Sequence, residues 1–238
     1  MAIGKDVTAL QKLVGYTFKD LSYLDCAMTH SSYTNEQRIK GITAPSNERL
    51  EFLGDAVLQL VISEYLFENF KRFREGALTK IRQRLVCERT LADIAESLSV
   101  GDFLNLGHGE EQNDCRSRPK ILADALEALI GAIYLDSRSY SDSVIKDVVL
   151  NLFSDELIAA SVSQKNDYKT MLQQLAEQDG AAILEYRTVS ESGPEHDKIF
   201  EVAAYINNNE VGRGVAPTKK EAEMQAARIA LELFGVGI

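Results

Sequence analysis

Residues Asn47–Leu58 read NERLEFLGDAVL and residues Ile121–Leu135 read ILADALEALIGAIYL. Both predict helices, and the fold turns on why such helices carry acid. In the first, Glu48, Glu51 and Asp55 fall at i, i+3 and i+7, on one helix face. Ala56, Val57, Leu58, Leu60, Val61 and Ile62 make the segment beyond heavily apolar. The second stretch is apolar nearly all round, which predicts a buried helix, yet Asp124 and Glu127 interrupt it at i, i+3. An ionised carboxylate inside a core must be paired, protonated or bound to a metal, because its desolvation is otherwise too costly. Arg49 is the basic residue of the first stretch, and the second has none. Four or five converging carboxylates suit Mg2+ or Mn2+, which prefer oxygen ligands. Acidic residues at this spacing also occur on ordinary solvated helix faces, so the residues by themselves leave both readings open.

Outward from these stretches, the pattern from about Asp6 to Leu157 is helical, punctuated by short polar pieces at Arg38–Ser46, Lys71–Glu75 and His108–Pro119. Ala159–Asn166 loses its apolar periodicity and reads as a linker. The period then changes. Tyr168–Asp179 predicts an amphipathic helix, ILEYRTVSES and KIFEVAAYIN two strands, Asn207–Asn209 a turn and EVGRGVA a third strand. Thr218 is a candidate N-cap for the helix KKEAEMQAARIALELF. The order α-β-β-β-α predicts a small α+β domain with two helices on one face of an antiparallel sheet.

The chain has 238 residues, enough for a medium domain plus a small one. Its 45% apolar and 26% charged residues are an ordinary globular composition, which excludes disorder of the whole chain. The N-terminal residues lack the apolar core of a signal peptide, and no apolar run is long enough to span a bilayer. Cys26, Cys87 and Cys115 are odd in number and widely spaced, which suggests neither disulfides nor a structural zinc site and points to the cytoplasm. The net charge of −10 argues against a nucleic-acid binder on composition alone. A local basic patch would suffice, however, and a cation-binding carboxylate cluster would itself make a chain acidic.

The ordered set of motifs resembles the ribonuclease III family. NERLEFLGDAVL looks like its signature, and THSSY (Thr29–Tyr33) before it and REGALTKIRQRLV (Arg74–Val86), LGHGEEQ (Leu106–Gln112) and ILADALEALIGAIYLD (Ile121–Asp136) after it appear in the family's order. The C-terminal part is similar to double-stranded-RNA-binding domains. The resemblance implies an all-α endonuclease domain over 1–158, a linker over 159–165 and an α-β-β-β-α RNA-binding domain over 166–238. It implies an endoribonuclease that hydrolyses double-stranded RNA with Mg2+, or Mn2+, and leaves 5′-phosphate and 3′-hydroxyl ends with a short 3′ overhang, in rRNA and mRNA processing. The matching metal positions are Glu51, Asp55, Asp124 and Glu127; Glu48 and Glu75 match supporting acidic positions. The family acts as a homodimer, which would make Phe52 part of an interface, with ordinary core as the competing reading. A metal pair held by carboxylates can activate water and clamp an in-line displacement, so the resemblance agrees with the chemistry of the residues. Where the family usually has Gly-Gly-Arg, this chain has Asn113-Asp114-Cys115-Arg116; Asp114 is either an extra acidic contact or a solvated loop residue. His30, His108 and His196 are too scattered for an acid–base pair, and His30 suits a hydrogen-bonding role near a helix end.

A-form RNA is read through shape, phosphates and 2′-hydroxyls. Thr170 and Gln173, one turn apart, suit one minor groove, and His196 in SGPEH a second. Lys219 and Lys220 at a helix start suit the phosphates between them. From Asn166 onward seven Lys and Arg face twelve Asp and Glu, which predicts weak, salt-sensitive binding by this domain alone. Two other readings compete: a non-catalytic RNA-binding or ribosome-associated protein, and a metal-dependent hydrolase of small phosphorylated substrates. The complete carboxylate set speaks against the first and the C-terminal domain against the second.

Overall fold

Apolar helices rich in Leu, Ala and Ile build the first two-thirds of the chain, and alternating strands appear only after it. The computed structural model describes residues 7–71, 73–139, 141, 143–165, 168–178, 182–194 and 198–236. The chain divides into two compact units, residues 1–157 and 158–238.

The first unit opens with α1 (Val7–Val14), α2 (Leu21–Ala27) and α3 (Ser31–Ile39), then the long α4 (Glu48–Asn69). After α5 (Glu75–Leu85), α6 (Glu88–Ser97), α7 (Val100–Phe103) and α8 (His108–Gln112), a 3-10 turn at Cys115–Ser117 leads into α9 (Pro119–Ser137). The helix α10 (Ser143–Leu152) follows, and α11 (Ser154–Lys165) runs past the division. The central pair is α4 and α9. Leu126, Leu129, Ile130 and Ile133 of α9 and Leu58 and Ile62 of α4 are fully buried. Burial of such side chains is worth roughly 2 kcal/mol each before entropy is counted.

Two glycines set the distance between these helices. A Cβ on Gly54 would lie 1.8 Å from the Glu127 carbonyl oxygen, and one on Gly131 would lie 2.3 Å from that of Leu50. The backbones therefore meet directly where Gly54 and Gly131 cross. Glycine inside a helix costs about 1 kcal/mol relative to alanine, and here the close approach offsets it.

The second unit contains α12 (Tyr168–Gln178), β1 (Leu184–Ser192), β2 (Ile199–Ile206), β3 (Asn209–Ala216) and α13 (Lys219–Leu233). The sheet is antiparallel in the order β1-β2-β3. Asn207 and Asn208, both at positive φ, make the two-residue turn between β2 and β3. Thr218 caps α13 by accepting from the Glu221 amide. Leu172, Ala204, Ala226, Ala227, Ala230 and Leu231 form the core between helices and sheet. The α-β-β-β-α order is as expected.

Two local readings change. The stretch 159–165, expected to be a linker, is helical as the end of α11. The stretch includes neither Gly nor Pro, so losing the apolar period in the sequence does not stop the helix. Gly214–Ala216 end β3, in keeping with the strand read from EVGRGVA, leaving Pro217 and Thr218 as the connection. His108–Gln112, read as polar punctuation, forms the short α8. Among the described residues no helix is long and apolar enough to cross a membrane.

Candidate functional site

The α4–α9 crossing brings carboxylates from two helices together. Glu51, Asp124 and Glu127 each present a ligand atom within 4.8 Å of the others. All three are half-buried, because the apolar helices that carry them cover their stems. Burial raises the Glu127 carboxyl to about 7, and the charges of Asp55, Glu51 and Asp124 add to the shift. Burial likewise raises Glu51, with further contributions from Asp124, Glu48 and Asp55. The cation opposing them is Lys120, whose Nζ donates to Asp124 Oδ1 at 3.1 Å and Oδ2 at 2.9 Å. A set of oxygen donors with excess negative charge is the chemistry that hard divalent cations satisfy, so these residues fit Mg2+ or Mn2+.

Of the four residues matched to metal ligands, three converge and Asp55 stands apart. Asp55 is exposed on α4 and accepts from the Gln59 side chain at 3.3 Å. It lies a turn beyond Glu51, where its charge still acts on Glu127. Glu48 is exposed at the start of α4 and accepts from Ser46 Oγ at 2.8 Å. Glu75 opens α5, accepts from Thr79 Oγ1 at 2.8 Å, and lines an apolar groove of 1180 Å³ with Leu60, Phe67, Phe70, Phe73 and Leu78. It is outside the carboxylate group.

The loop before α9 has its own logic. Asp114 takes φ 52°, the left-handed conformation that glycine would supply and that aspartate tolerates better than most residues. Asp114 is not among the converging carboxylates. Arg116 holds the loop by donating to the carbonyls of Gly101 (2.6 Å) and Leu104 (2.8 Å) and by pairing with Glu111. His30 caps α3, its ring nitrogen accepting from the Ser32 amide.

On the second unit, Thr170 and Gln173 are exposed on α12, with Gln173 donating to Glu177 at 2.9 Å. Lys219 and Lys220 are exposed at the start of α13. Lys219 pairs with Glu191 at 2.8 Å and lies over the Phe200 ring. His196 falls outside the described residues.

Sequence reasoning missed Gly54, Gly131 and Lys120. The glycines had a signal, since each interrupts a run of strong helix formers. Lys120 lies one residue before the stretch that drew notice.

A family model described as Ribonuclease-III-like matches residues 20–157, and one described as Double-stranded RNA binding motif matches residues 168–233. A Ribonuclease 3 of Geobacillus kaustophilus is 46% identical over 223 residues, 94% of this chain and 89% of the relative. A Ribonuclease 3 of Oceanobacillus iheyensis is 44% identical over 227 residues, 95% of this chain and 97% of the relative. A crystal structure of the nuclease domain of ribonuclease III from Campylobacter jejuni is similar with TM-score 0.56 and 43% identity, covering 63% of this chain and 95% of that one. A second structure of that domain, described for flexibility in the region involved in its dimer formation, gives TM-score 0.57 at 42% identity, covering 63% of this chain and 98% of that one.

Proposed function

The chain belongs to the ribonuclease III family, endoribonucleases that act on double-stranded RNA, and from that premise we propose how its residues divide the work. Residues 1–158 cut and residues 166–238 hold the duplex. The observation that carries this reading is the convergence of Glu51, Asp124 and Glu127 at the α4–α9 crossing, in the unit that lacks the RNA-binding motif.

Glu51, Asp124 and Glu127 would hold a divalent cation, Mg2+ or Mn2+, and Asp55 would join them by turning away from Gln59. When bound, the cation lowers the pKa of water and stabilises the leaving oxygen, which leaves a 5′-phosphate and a 3′-hydroxyl. Glu127 would hold the cation in its deprotonated form. Gly54 and Gly131 keep the two carboxylate-bearing backbones in contact, so ligand spacing is set by the fold. Glu48 and Glu75 take supporting roles toward water and RNA.

Cutting both strands calls for two sites, which supports a homodimer and a short 3′ overhang. Phe52, Leu60 and Phe67, spaced eight and seven residues apart on one stripe of α4, are 82%, 69% and 76% exposed. With the apolar groove beside them they offer a surface for a second copy. Thr170, Gln173 and His196 would reach 2′-hydroxyls, and Lys219 and Lys220 phosphates. Free cysteines suit the cytoplasm, and structured rRNA and mRNA precursors suit the substrate.

The test is Glu127→Gln, which removes charge and keeps size. Cleavage should fall by several orders of magnitude, since activation of water and leaving group supplies several kcal/mol. Gel-shift affinity for an RNA duplex should hardly move. Full cleavage by the variant would remove Glu127 from the site, and joint loss of binding and cleavage in a folded variant would make it an RNA contact.

A further inference from the structure

Lys120 is placed against its own interest as a helix residue. It follows Pro119 in the first turn of α9, where the helix dipole disfavours a cation. Its partner Asp124 lies four residues later, so the cation comes first, the weaker orientation for an i, i+4 pair. Neither term explains a contact in which Nζ lies 3.1 and 2.9 Å from both oxygens of Asp124. The contact makes sense through what Asp124 faces. One of its oxygens lies within 4.8 Å of ligand atoms of Glu51 and Glu127. The Lys120 side chain is 71% exposed, so it can leave without opening a cavity.

A divalent ion shared by these three carboxylates needs an oxygen of Asp124, and the ammonium hydrogen-bonds to both and competes for their charge. Keeping a unit positive charge beside a divalent ion is also repulsive. We propose that Lys120 is a positioning residue: it is the counter-ion of Asp124 in the metal-free site, yields to the divalent ion, and so sets how tightly that ion binds. The proposal rests on the metal reading of Glu51, Asp124 and Glu127 given above.

The test is direct titration of Mn2+ into the full-length protein without RNA, with free Mn2+ counted by its electron paramagnetic resonance signal. Lys120→Met should tighten binding, lowering Kd about three- to tenfold, the range expected for one nearby charge at partial exposure. Lys120→Arg keeps the charge and should stay within about twofold of the parent. Lys12→Met on α1 removes a charge elsewhere and should leave Kd unchanged. Circular dichroism checks that each variant is folded. Unchanged or weaker binding in folded Lys120→Met, or an equal change in Lys12→Met, overturns the proposal. Glu127→Gln separates the two failures. If it binds Mn2+ as the parent does, the metal reading itself is wrong. If it loses the site while Lys120→Met matches the parent, only the role of Lys120 falls.

Discussion

Glu51, Asp124 and Glu127 face one another across two apolar helices with Lys120 as the cation beside them, whereas Glu185, Glu201 and Glu210 on the three-stranded sheet each meet an arginine. The contrast shows in acidity. Burial raises Glu127 and Glu51, each pushed further by its acidic neighbours. The bonds from Ser190 and Arg213 lower Glu201, and Arg213 lowers Glu210. Both regions are rich in acid, so composition does not distinguish them. What distinguishes them is whether the fold supplies enough cation: on the sheet it does, and at the α4–α9 crossing it leaves a deficit that a divalent ion would fill.

The comparison breaks most visibly at Gly54. Gly54→Ala drives a methyl group into the Glu127 carbonyl, so α4 and α9 must separate. The expected cost is about 3 kcal/mol of stability, within the range for overpacked cores, together with loss of Mn2+ binding. Chemical denaturation followed by Mn2+ titration checks it; an Ala variant of parental stability would mean that the close crossing is not what assembles the carboxylates.

Next in size is the division between the two regions. Removing residues 166–238 should weaken duplex binding on the order of a hundredfold at moderate salt, the scale of losing several phosphate contacts. Cleavage at low salt and high Mg2+ should survive, because the converging carboxylates lie outside the removed segment. A folded truncation that is inert under those conditions would show that the second unit takes part in cutting. The smallest effect belongs to the sheet. Arg213→Ala breaks exposed pairs with Glu201 and Glu210, and exposed pairs contribute little. Its thermal midpoint should stay within about 2 °C of the parent. A larger drop would mean that this network is structural.

Much of this was legible in the sequence for physical reasons. Alternation in residues 199–206 and the Asn207–Asn209 turn specify the hairpin of β2 and β3, and Thr218 announces its helix by its capping chemistry. The half-burial of Asp124 and Glu127 follows from apolar neighbours on every side. Other features depend on contacts between distant residues. Phe52 reads equally well as core or interface until the partners of α4 are known; at 82% exposure it is not core of this chain. Asp55 belongs to the motif by spacing, yet its rotamer goes to Gln59. The helix over 159–165 was hidden because its small and polar residues leave no apolar period to read.

The central claim, that a divalent ion and not the protein completes the charge at the α4–α9 crossing, is tested most directly by thermal unfolding of the full chain from pH 5 to 7.5 in EDTA and in excess Mg2+. A carboxyl raised from 4.5 to about 7 holds its proton more tightly folded than unfolded. Stability in EDTA should therefore fall as pH rises through that window. Excess Mg2+ should restore it at pH 7.5, since a ligand bound only to the folded state adds stability. Glu127→Gln should flatten the EDTA profile and lose most of the response to Mg2+. A parent protein whose midpoint ignores both pH and Mg2+, or a Glu127→Gln variant that responds to both as the parent does, would contradict the account.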